Sequence, residues 1–458
     1  MLKKILVANR GEIAVQIIRA VHDMGITAVA IYSEADKDSL FVKLADETVC
    51  IGKSSSDESY LNMIGIINVA NLTGCDAVHP GYGFLSENAE FAKLCEECSL
   101  KFIGPKYKTI SLMGDKSKAR KKMSDIGVPV IPGSDGAVTS KLEAKQIAKK
   151  IGFPVLLKSA MGGGGKGIRK VDCLEDLESA FYEAQQESIA SYNNDEIYIE
   201  KLICNAKHIE MQVLADNYGN IVYLPERDCS IQRNHQKVIE ESPCLMVSPE
   251  ERASLGKIVS QATKEISYVN TGTYEFLMDR DHNFYFIEMN TRIQVEYTVT
   301  ESITGFELIK MQIMIADGEV LPIKQKDVLI KGYSLECRLN AEDVEKNFSP
   351  QPGSIKKLFF PTGTLGVRVD SGIIQGSVVP PYYDSMVAKI VVCLNNKADA
   401  INKMTRVLKE ITIDGIKTNR EFLKFLVNTN EFKSGNFDTN FIEKNMNHWR
   451  GEYNDKPK

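Results

Sequence analysis

The chain of 458 residues is long enough for two or three domains, and its 43% hydrophobic and 26% charged residues are typical of a globular protein. A formal net charge of −5 leaves no basic field for nucleic acid, no apolar run is long enough to span a membrane, and the apolar part of the N-terminus is too short for a signal peptide. We therefore expect a cytoplasmic protein that binds neither nucleic acid nor a membrane.

The chain opens with a βαβ pattern, which predicts a Rossmann-like N-terminal domain over residues 1–114. Its predicted elements are a strand at 4–8, a helix at 11–24, a strand at 27–32 and a strand at 76–79. The first turn reads NRGE and lacks the glycine fingerprint of a dinucleotide site. The tight loop at 80–87 carries Tyr82 and Glu87 and follows the end of a strand, a position that favours a ligand-binding edge over a simple connection.

A helical connector is predicted over residues 115–130 and a compact α/β unit over residues 131–202. Lys116 stands at the start of the connector helix, where backbone N–H groups attract phosphate, although a solvated basic helix would show the same pattern. Lys158 lies near the end of a predicted strand at 154–159. Both lysines are therefore candidates for phosphate binding.

The glycine-rich run from Met161 to Gly167, MGGGGKG, separates that strand from a returning strand at 168–171. It is not a dinucleotide fingerprint, because a strand and not a helix follows it. It is not a P-loop, because Gly167 stands where Ser or Thr should follow the lysine. We expect a mobile lid whose bare N–H groups close over phosphates, and a flexible surface loop is the alternative.

Residues 203–447 are rich in predicted strands and form the third unit, followed by a frayed tail at 448–458. We predict helices at 249–268, 303–315, 398–411 and 421–427, and a strand at 333–340. A hairpin folded at Asp281–His282 would place Glu275 opposite Glu288, and two facing carboxylates repel unless a cation lies between them.

After Glu288 polar and apolar residues alternate, which predicts an extended segment with one polar face. That face carries Glu288, Asn290, Arg292, Gln294 and Glu296. The solvated face of an edge strand would alternate too, but acids, an amide and a guanidinium in one row favour a site for a metal and an anion.

Lys116, Lys158 and the glycine hairpin, together with a pair of acids, are the parts of an ATP site that is not a P-loop. Mg²⁺ prefers one or two carboxylates together with phosphates and water, which suits Glu275, Glu288 and Asn290. The glycine unit would close as a lid and exclude water from the phosphates.

The residues that follow the acids suit a small planar anion. The Arg292 guanidinium matches a carboxylate in a bidentate manner, with Gln294 and the Val295 backbone beside it. Glu296 is the acid best placed to remove a proton from that anion. Two further cations are expected to neutralise charge that develops between anion and phosphate: Lys237 and Arg338. The predicted chemistry is phosphoryl transfer to a small oxyanion, followed by capture of the activated acid.

Long motifs run through nearly the whole chain, from about residue 2 to residue 446. They read KILVANRGEIA, HPGYGFLSEN, FIGP, MGDK, GGGGKG, ERDCSIQRNHQKVIEE, EFL, FIEMNTRIQVE, ECRLNAED and PPYYDSM. They resemble those of biotin carboxylase, the ATP-grasp component of biotin-dependent carboxylases. The resemblance implies an α/β (α+β) chain with the ATP-grasp fold: a Rossmann-like N-terminal domain, a mobile glycine-rich lid and a C-terminal domain with a mixed sheet.

The resemblance also implies a ligase that uses ATP and bicarbonate to carboxylate N1 of biotin through carboxyphosphate. The implied nucleotide-binding residues are Lys116, Lys158, Gly163, Gly164, Gly165, Glu200, Lys201, Leu202, His208, Gln232, His235, Lys237, Leu277 and Glu288. Of these, Glu200 and Leu202 would meet adenine through their backbone. Two Mg²⁺ or Mn²⁺ ions would be held by Glu275 and Glu288, with Asn290 close by.

By the same resemblance, bicarbonate and biotin would be bound by Arg292, Gln294, Val295, Lys237, Arg338 and Tyr82. The implied catalytic residues are Glu296, Arg338, Lys237 and Arg292. Glu296 would be the general base, Arg338 would stabilise the biotin enolate, and Tyr82 would line the biotin pocket.

Partners are implied as well. The chain contains no Ala-Met-Lys-Met acceptor context for biotin and no carboxyltransferase domain after residue 447, so we expect it to work with a separate biotin carrier protein and carboxyltransferase subunits. The resemblance also implies a homodimer. Acetyl-CoA carboxylase of fatty acid synthesis is the first expectation, and pyruvate, propionyl-CoA and 2-oxoglutarate carboxylases use the same component. An ATP-grasp ligase for another carboxylate and a non-catalytic scaffold are the alternative functions.

The chain departs from the family pattern directly after the expected base. Where the family usually reads VEHPVTE, Tyr297 replaces the histidine and Thr298 the proline, and Val344 replaces the proline of NAEDP. Tyrosine is bulkier than histidine and does not titrate near neutrality. We expect the change to alter the support of Glu296 while leaving its carboxylate in place.

Glu296→Ala should retain nucleotide binding but lose turnover by about 100-fold or more, because the variant keeps the ATP ligands and lacks the group that takes the proton. Nucleotide titration measures the first property and ADP release the second. Turnover equal to that of the unchanged chain would show that Glu296 is not the base.

Overall fold

A parallel sheet flanked by helices forms the N-terminal part of the protein in the computed structural model, which describes residues 1–138, 140–159, 168–192 and 196–454. Its elements are β1 (Lys4–Val7), α1 (Gly11–Asp23), β2 (Thr27–Ser33), α2 (Leu40–Leu44), β3 (Glu47–Gly52), α3 (Met63–Leu72), β4 (Ala77–His79), α4 (Ala89–Glu97), β5 (Lys101–Phe102) and α5 (Tyr107–Gly114). The strands pair in parallel in the order β3-β2-β1-β4-β5, which confirms the predicted Rossmann-like start. The apolar face of α1, with Ile13, Ile17 and Val21, packs into the core beside this sheet.

Helix α6 (Lys116–Asp125) leads into a small unit that contains the predicted strands on either side of the glycine run. Its elements are α7 (Lys141–Ile151), β6 (Val155–Ser159), β7 (Ile168–Val171), α8 (Leu174–Tyr192) and β8 (Ile197–Lys201). The strands form an antiparallel sheet in the order β7-β6-β8, which confirms the returning strand. The glycine run itself, with Gly163, Gly164 and Gly165, lies outside the described residues.

A long sheet forms most of the remaining chain. The elements are β9 (Lys207–Ala215), β10 (Ile221–Tyr223), β11 (Arg227–Arg233), β12 (Gln236–Ser242), α9 (Pro249–Glu265), β13 (Asn270–Met278), β14 (Phe284–Asn290), α10 (Tyr297–Thr304), α11 (Leu308–Asp317), β15 (Tyr333–Asn340), β16 (Glu342–Asp343), β17 (Ser349–Pro350), β18 (Gly353–Ser354), β19 (Lys357–Phe359), β20 (Val367–Ser371), β21 (Val378–Val379), β22 (Met386–Leu394), α12 (Lys397–Glu410), β23 (Thr412–Asp414), α13 (Arg420–Asn428), α14 (Asn430–Ser434) and α15 (Phe441–Asn454). The sheet order is β14-β13-β9-β11-β12-β15-β22-β20, with β10 paired to β9. The resemblance implies a mixed sheet here, but these described strands pair antiparallel, as tight hairpins such as β11–β12 and β13–β14 require.

Two predictions for the segment after β14 are wrong. The strand ends at Asn290, and residues 291–296 turn instead of continuing as an extended segment, because Glu296 is already the N-cap residue of α10. The single helix predicted at 303–315 is divided into α10 and α11. Gly305 ends α10 with a left-handed φ of +77°, a conformation that glycine adopts without steric strain.

The C-terminal segment is helical where the sequence predicts fraying from residue 448. Helix α15 continues to Asn454, and Trp449 is 5% exposed. Its ring centroid lies 5.4 Å from that of Phe422 and 5.5 Å from that of Phe425, so burial of a large aromatic ring stabilises this helix. Residues 455–458 lie outside the described part of the chain. Within the described part, no helix has the length and apolar character needed to cross a membrane.

The N-terminal and C-terminal parts meet where the start of α1 approaches the chain just after β20. A Cβ atom on Gly372 would lie 2.7 Å from the carbonyl carbon of Gly11 and 2.8 Å from the nitrogen of Glu12, which is closer than real Cβ contacts. The same approach brings the Glu12 carboxylate to the central sheet, 3.0 Å from the Lys389 ammonium on β22.

Gly372→Ala should lower the free energy of unfolding by about 1–3 kcal/mol, because the added methyl group would clash with backbone atoms of Gly11 and Glu12, which can move only together with the rest of α1. Gly114→Ala is the matched control, since a Cβ atom there meets nothing within 4 Å. Denaturant unfolding of both variants tests the expectation. Equal free energies of unfolding for the two variants would show that the backbone at this contact moves apart with little loss of stability.

Candidate active site

A row of acidic residues crosses the central sheet. The β13–β14 hairpin places Glu275 opposite Glu288, as predicted, and on the other side of β13 Glu275 stands opposite Glu210 of β9. Asp279 closes the hairpin turn, because its carboxylate accepts the N–H of Asn283 at 2.9 Å. Carboxylates on neighbouring strands repel one another, so this row requires cations between its members.

The ammonium group of Lys237 on β12 supplies one such cation. It contacts Glu210 and lies 3.0 Å from Glu275 and 2.8 Å from Glu296. Burial works to lower the pKa of Lys237, but these acids outweigh burial and raise that pKa well above its usual value. Lys237 therefore stays charged and holds the acids together.

The acids around Lys237 do not share one protonation state. Burial works to raise the pKa of Glu296, but Lys237 and then Arg338 hold it well below its usual value. The pKa of Glu275 is also held well below its usual value, with Lys237 the largest of the groups that outweigh burial. For Glu210, burial and then the charge of Glu296 raise the pKa to about 7. Two ionised acids therefore stand beside one that titrates near neutrality.

His208, Gln232 and Leu277, all predicted for nucleotide binding, lie beside these acids. His208 Nε2 is 2.9 Å from Glu275, and its Nδ1 is 3.1 Å from the amide nitrogen of Gln232. Burial works to lower the pKa of His208, but Glu275 outweighs it and raises the pKa above its usual value. Leu277 follows Glu275 by two residues and so shares its face of β13.

The turn after β14 brings the candidate anion ligands to the acids. Gln294 donates to Glu275 at 2.7 Å and accepts from Arg292 at 3.1 Å. Arg292 also donates to Asn290 at 2.6 Å and to Glu87 at 2.8 Å. The predicted loop at the end of β4 thus reaches the site through Glu87. Arg292 and Gln294 are assembled as one hydrogen-bonded pair beside the acids.

Arg338 on β15 contacts Glu296 directly. Its Nη2 donates to the Glu296 carboxylate at 2.8 Å, and its Nε lies 2.5 Å from Glu240. Burial raises the pKa of Glu240 well above its usual value, although Arg338 opposes this. The fully buried Glu296 carboxylate therefore lies between two cations, Lys237 on one oxygen and Arg338 on the other.

The lysines predicted to bind phosphate are paired with acids. Lys116 lies 3.1 Å from Glu288 with 76% of its side chain exposed, and Lys158 contacts Glu200 within the sheet of the small unit. A phosphate would compete with these carboxylates for the same ammonium groups.

Three further residues predicted for nucleotide binding lie at or just after the end of β8 and in the β11–β12 turn. The N–H of Leu202 donates to the Pro154 carbonyl at 3.0 Å, so the predicted adenine contact of the Leu202 backbone would use its carbonyl. The Lys201 ammonium donates to the Phe153 carbonyl at 2.7 Å and so serves packing of the small unit. His235 lies at the exposed tip of the β11–β12 hairpin.

Glu275 and Glu288 fit a divalent cation. Both supply carboxylate oxygens from facing positions on adjacent strands, and Mg²⁺ prefers such ligands. Asn290 fits less well, because its side-chain oxygen already accepts a guanidinium N–H and its nitrogen donates to Glu275. Glu210 lies close to Glu275 and His208, with candidate ligand atoms within 4.8 Å of one another, but the Lys237 ammonium already contacts Glu210.

The residues that depart from the family pattern are buried beneath the site. Tyr297 is fully buried, and its ring centroid lies 4.4 Å from the Lys389 ammonium. The Thr298 hydroxyl donates to Glu336, and Val344 packs in the C-terminal core. The substituted side chains are thus packing groups, and the Glu296 carboxylate keeps its own cations.

Tyr82 and Val295, predicted for biotin and bicarbonate, are linked below the site. The Tyr82 hydroxyl donates to Glu12, which lies 3.0 Å from Lys389, and Lys389 donates to the Val295 carbonyl at 2.9 Å. Two buried charged residues therefore connect the loop after β4 to the turn after β14.

Sequence reasoning did not assign several residues that complete the site: Glu12, Glu210, Arg227, Glu240, Glu336 and Lys389. Glu210 carried a usable signal, because it alternates with His208 and Gln212 along β9. Glu12 and Lys389 carried little signal, since one charged residue in a helix or strand is usually solvated.

Three family models together match most of the chain. The family model described as "Biotin carboxylase, N-terminal domain" matches residues 1–110, "Carbamoyl-phosphate synthase L chain, ATP binding domain" matches 115–324, and "Biotin carboxylase C-terminal domain" matches 336–444. Biotin carboxylase 1 of Bacillus subtilis is 51% identical over 444 residues, which cover 97% of this chain and 98% of that protein.

Similar proteins also include components of other carboxylases. The 2-oxoglutarate carboxylase small subunit of Hydrogenobacter thermophilus is 48% identical over 443 residues, covering 97% of this chain and 93% of that protein. A crystal structure of the biotin carboxylase domain dimer of that carboxylase superposes with a TM-score of 0.91 at 47% identity, covering 97% of this chain and 98% of the other. The chain therefore belongs to the biotin carboxylase family of ATP-grasp enzymes.

Proposed function

We propose that this chain uses ATP and bicarbonate to carboxylate N1 of biotin on a separate carrier protein, as the biotin carboxylase subunit of a biotin-dependent carboxylase. The observation that carries the proposal is the Glu296 carboxylate, which is buried, ionised and held between Lys237 and Arg338. The hydrogen-bonded pair of Arg292 and Gln294 provides the adjoining site for a small planar anion.

ATP would lie between the small unit and the acidic row. Lys116 and Lys158 would bind its phosphates, with the glycine run closing over them as a lid. Glu275 and Glu288 would hold two Mg²⁺ or Mn²⁺ ions. When bound, these ions would offset the negative charge of the phosphates. The related 2-oxoglutarate carboxylase domain was crystallised with MgADP, ADP and bicarbonate, which supports this assignment.

In the first step Glu296 accepts the proton of bicarbonate, and a bicarbonate oxygen attacks the γ-phosphorus of ATP. The bond from that phosphorus to the β,γ-bridging oxygen breaks, which yields ADP and carboxyphosphate. Lys237 neutralises charge that develops between bicarbonate and phosphate, because its ammonium already lies among the acids.

In the second step the bond between the carboxyl carbon and the bridging oxygen breaks, which releases CO₂ and phosphate. The phosphate removes the proton from N1 of biotin, and N1 forms a bond to the carbon of CO₂. Arg338 stabilises the negative charge on the biotin ureido oxygen, and Tyr82 lines the biotin pocket.

For the complete complex we propose acetyl-CoA carboxylase of fatty acid synthesis, with separate carrier and carboxyltransferase subunits and a homodimer of this chain. The Hydrogenobacter relative, named as a 2-oxoglutarate carboxylase subunit, is nearly as similar as the Bacillus biotin carboxylase, so pyruvate, propionyl-CoA and 2-oxoglutarate remain the alternative acceptors. The printed description of the related crystal structure as a domain dimer supports the dimer. Purification of the chain with its natural partners, followed by assays with each acceptor, distinguishes these complexes.

ATP hydrolysis by the purified chain should require bicarbonate and increase when free biotin is added, because phosphoryl transfer needs the anion and biotin consumes the activated acid. ADP release with each component omitted in turn measures this. ATP turnover that ignores both bicarbonate and biotin would exclude the proposed reaction. Bicarbonate-independent turnover with another carboxylate would instead indicate a different ATP-grasp ligase.

Glu288→Gln should raise the Mg²⁺ concentration for half-maximal turnover by about tenfold, because a neutral amide oxygen replaces a carboxylate ligand. Glu251→Gln is the control, since Glu251 pairs with His282 at the other end of the hairpin and caps α9. Magnesium titrations of ADP release compare the two variants. The same magnesium requirement in both would remove Glu288 from the proposed metal site.

A further inference from the structure

Lys389 is a buried cation with a complete set of partners. It lies on β22 with no exposed surface. Its ammonium lies 3.0 Å from the Glu12 carboxylate, donates to the Val295 carbonyl at 2.9 Å and stands 4.4 Å from the ring centroid of Tyr297. A buried ammonium is strongly destabilising unless it is paired and hydrogen-bonded, so these contacts are needed to keep the charge in this place.

The strand register sets Lys389 directly opposite Arg338 of β15. Two cations in facing positions repel each other, and nearby acidic groups offset this repulsion. Asp370 on β20 stands opposite Lys389, and Glu336, two residues before Arg338, lies on the same face of β15 as Arg338. Because placing two cations together is unfavourable, the arrangement suggests that both Arg338 and Lys389 have a role in the site.

The two cations contact neighbouring residues, Glu296 and Val295. Arg338 donates to the carboxylate of Glu296 at 2.8 Å. Lys389 donates to the Val295 carbonyl, which belongs to the peptide group that joins Val295 to Glu296. Arg338 therefore fixes the side chain of the proposed base, and Lys389 fixes its main chain.

The turn that carries Val295 depends on such contacts. Strand β14 ends at Asn290, so residues 291–296 are not part of the hydrogen-bonded ladder of the sheet. Side chains replace that ladder: Glu87 accepts the N–H of Thr291 at 2.9 Å, and Lys389 donates to the Val295 carbonyl. Small displacements of such a turn move the groups that face bicarbonate, and catalysis is sensitive to displacements of this size.

We infer that Lys389 is a positioning residue for the bicarbonate site: it fixes the Val295–Glu296 peptide and, through Glu12, ties that peptide to the loop that carries Tyr82. The inference rests on the proposed function. Glu12 completes the link because its carboxylate also accepts the Tyr82 hydroxyl. The aromatic face of Tyr297 belongs to the same arrangement, since an uncharged ring tolerates a nearby ammonium that a protonated histidine would repel.

Lys389→Met tests the inference, because methionine preserves most of the side-chain length and removes the charge and the donors. We expect the KM for bicarbonate to rise about tenfold or more with a lower kcat, and the KM for ATP to change less than about twofold. A residue that served folding alone would not separate these two constants.

Lys397→Met is the matched control. Lys397 is also buried, pairs with Glu241 at 2.8 Å and lies 4.3 Å from the ring centroid of Phe432, but its contacts lie in the C-terminal core and not at the turn. This variant also removes a buried charge, and we expect it to leave the KM for bicarbonate unchanged. Thermal unfolding of both variants reports how far each one is destabilised.

Glu12→Gln decides the matter if Lys389→Met does not fold, because it keeps the size of the side chain and removes the charge that holds the ammonium. A raised KM for bicarbonate supports the inference, and an unchanged KM overturns it. An equal rise in the KM for ATP and bicarbonate would show a purely structural role. If the unchanged chain responds to bicarbonate but folded Lys389→Met has the same KM for bicarbonate, this inference alone is overturned. If the unchanged chain does not respond to bicarbonate, the proposed function is overturned as well.

Discussion

The site depends on one buried ammonium group among acids that would otherwise repel one another. Lys237 reaches Glu210, Glu275 and Glu296, which come from two strands and from the turn before α10. Its charge keeps the pKa of Glu275 and Glu296 low despite burial, whereas the pKa of Glu210 rises to about 7. This cation thus holds the three carboxylates together, and burial and the neighbouring charges determine which of them are ionised.

The antiparallel sheet provides the geometry for this arrangement. Its register aligns Glu288, Glu275 and Glu210 across neighbouring strands, and farther along the sheet, beyond β11 and β12, it sets Arg338 on β15 beside Lys389 on β22. A shift of one residue in any strand would turn its side chains to the other face of the sheet, and the site residues would no longer lie together. The stability of the sheet and the function of the site therefore depend on the same pairing.

The departures from the family pattern are explained by packing. Tyr297 is buried against the Lys389 ammonium, and Thr298 donates to Glu336, so both substitutions act on the cations and acids behind Glu296. Glu296 retains its contacts with Lys237 and Arg338. The substitutions therefore change the surroundings of the main chain at the proposed base more than they change its carboxylate.

The sequence by itself determined the local features of this protein: the βαβ start, the returning strand after the glycine run, and the hairpin that sets Glu275 against Glu288, since turn residues fix the register of a hairpin. Its long motifs also indicated the family. The sequence could not show that the polar row after Asn290 forms a turn that leads into a helix, because alternation alone does not distinguish a strand from a turn held by side-chain hydrogen bonds. Only the tertiary structure decided that Glu12 and Lys389 meet, because the residues are far apart in sequence and long-range packing alone brings two such charges together.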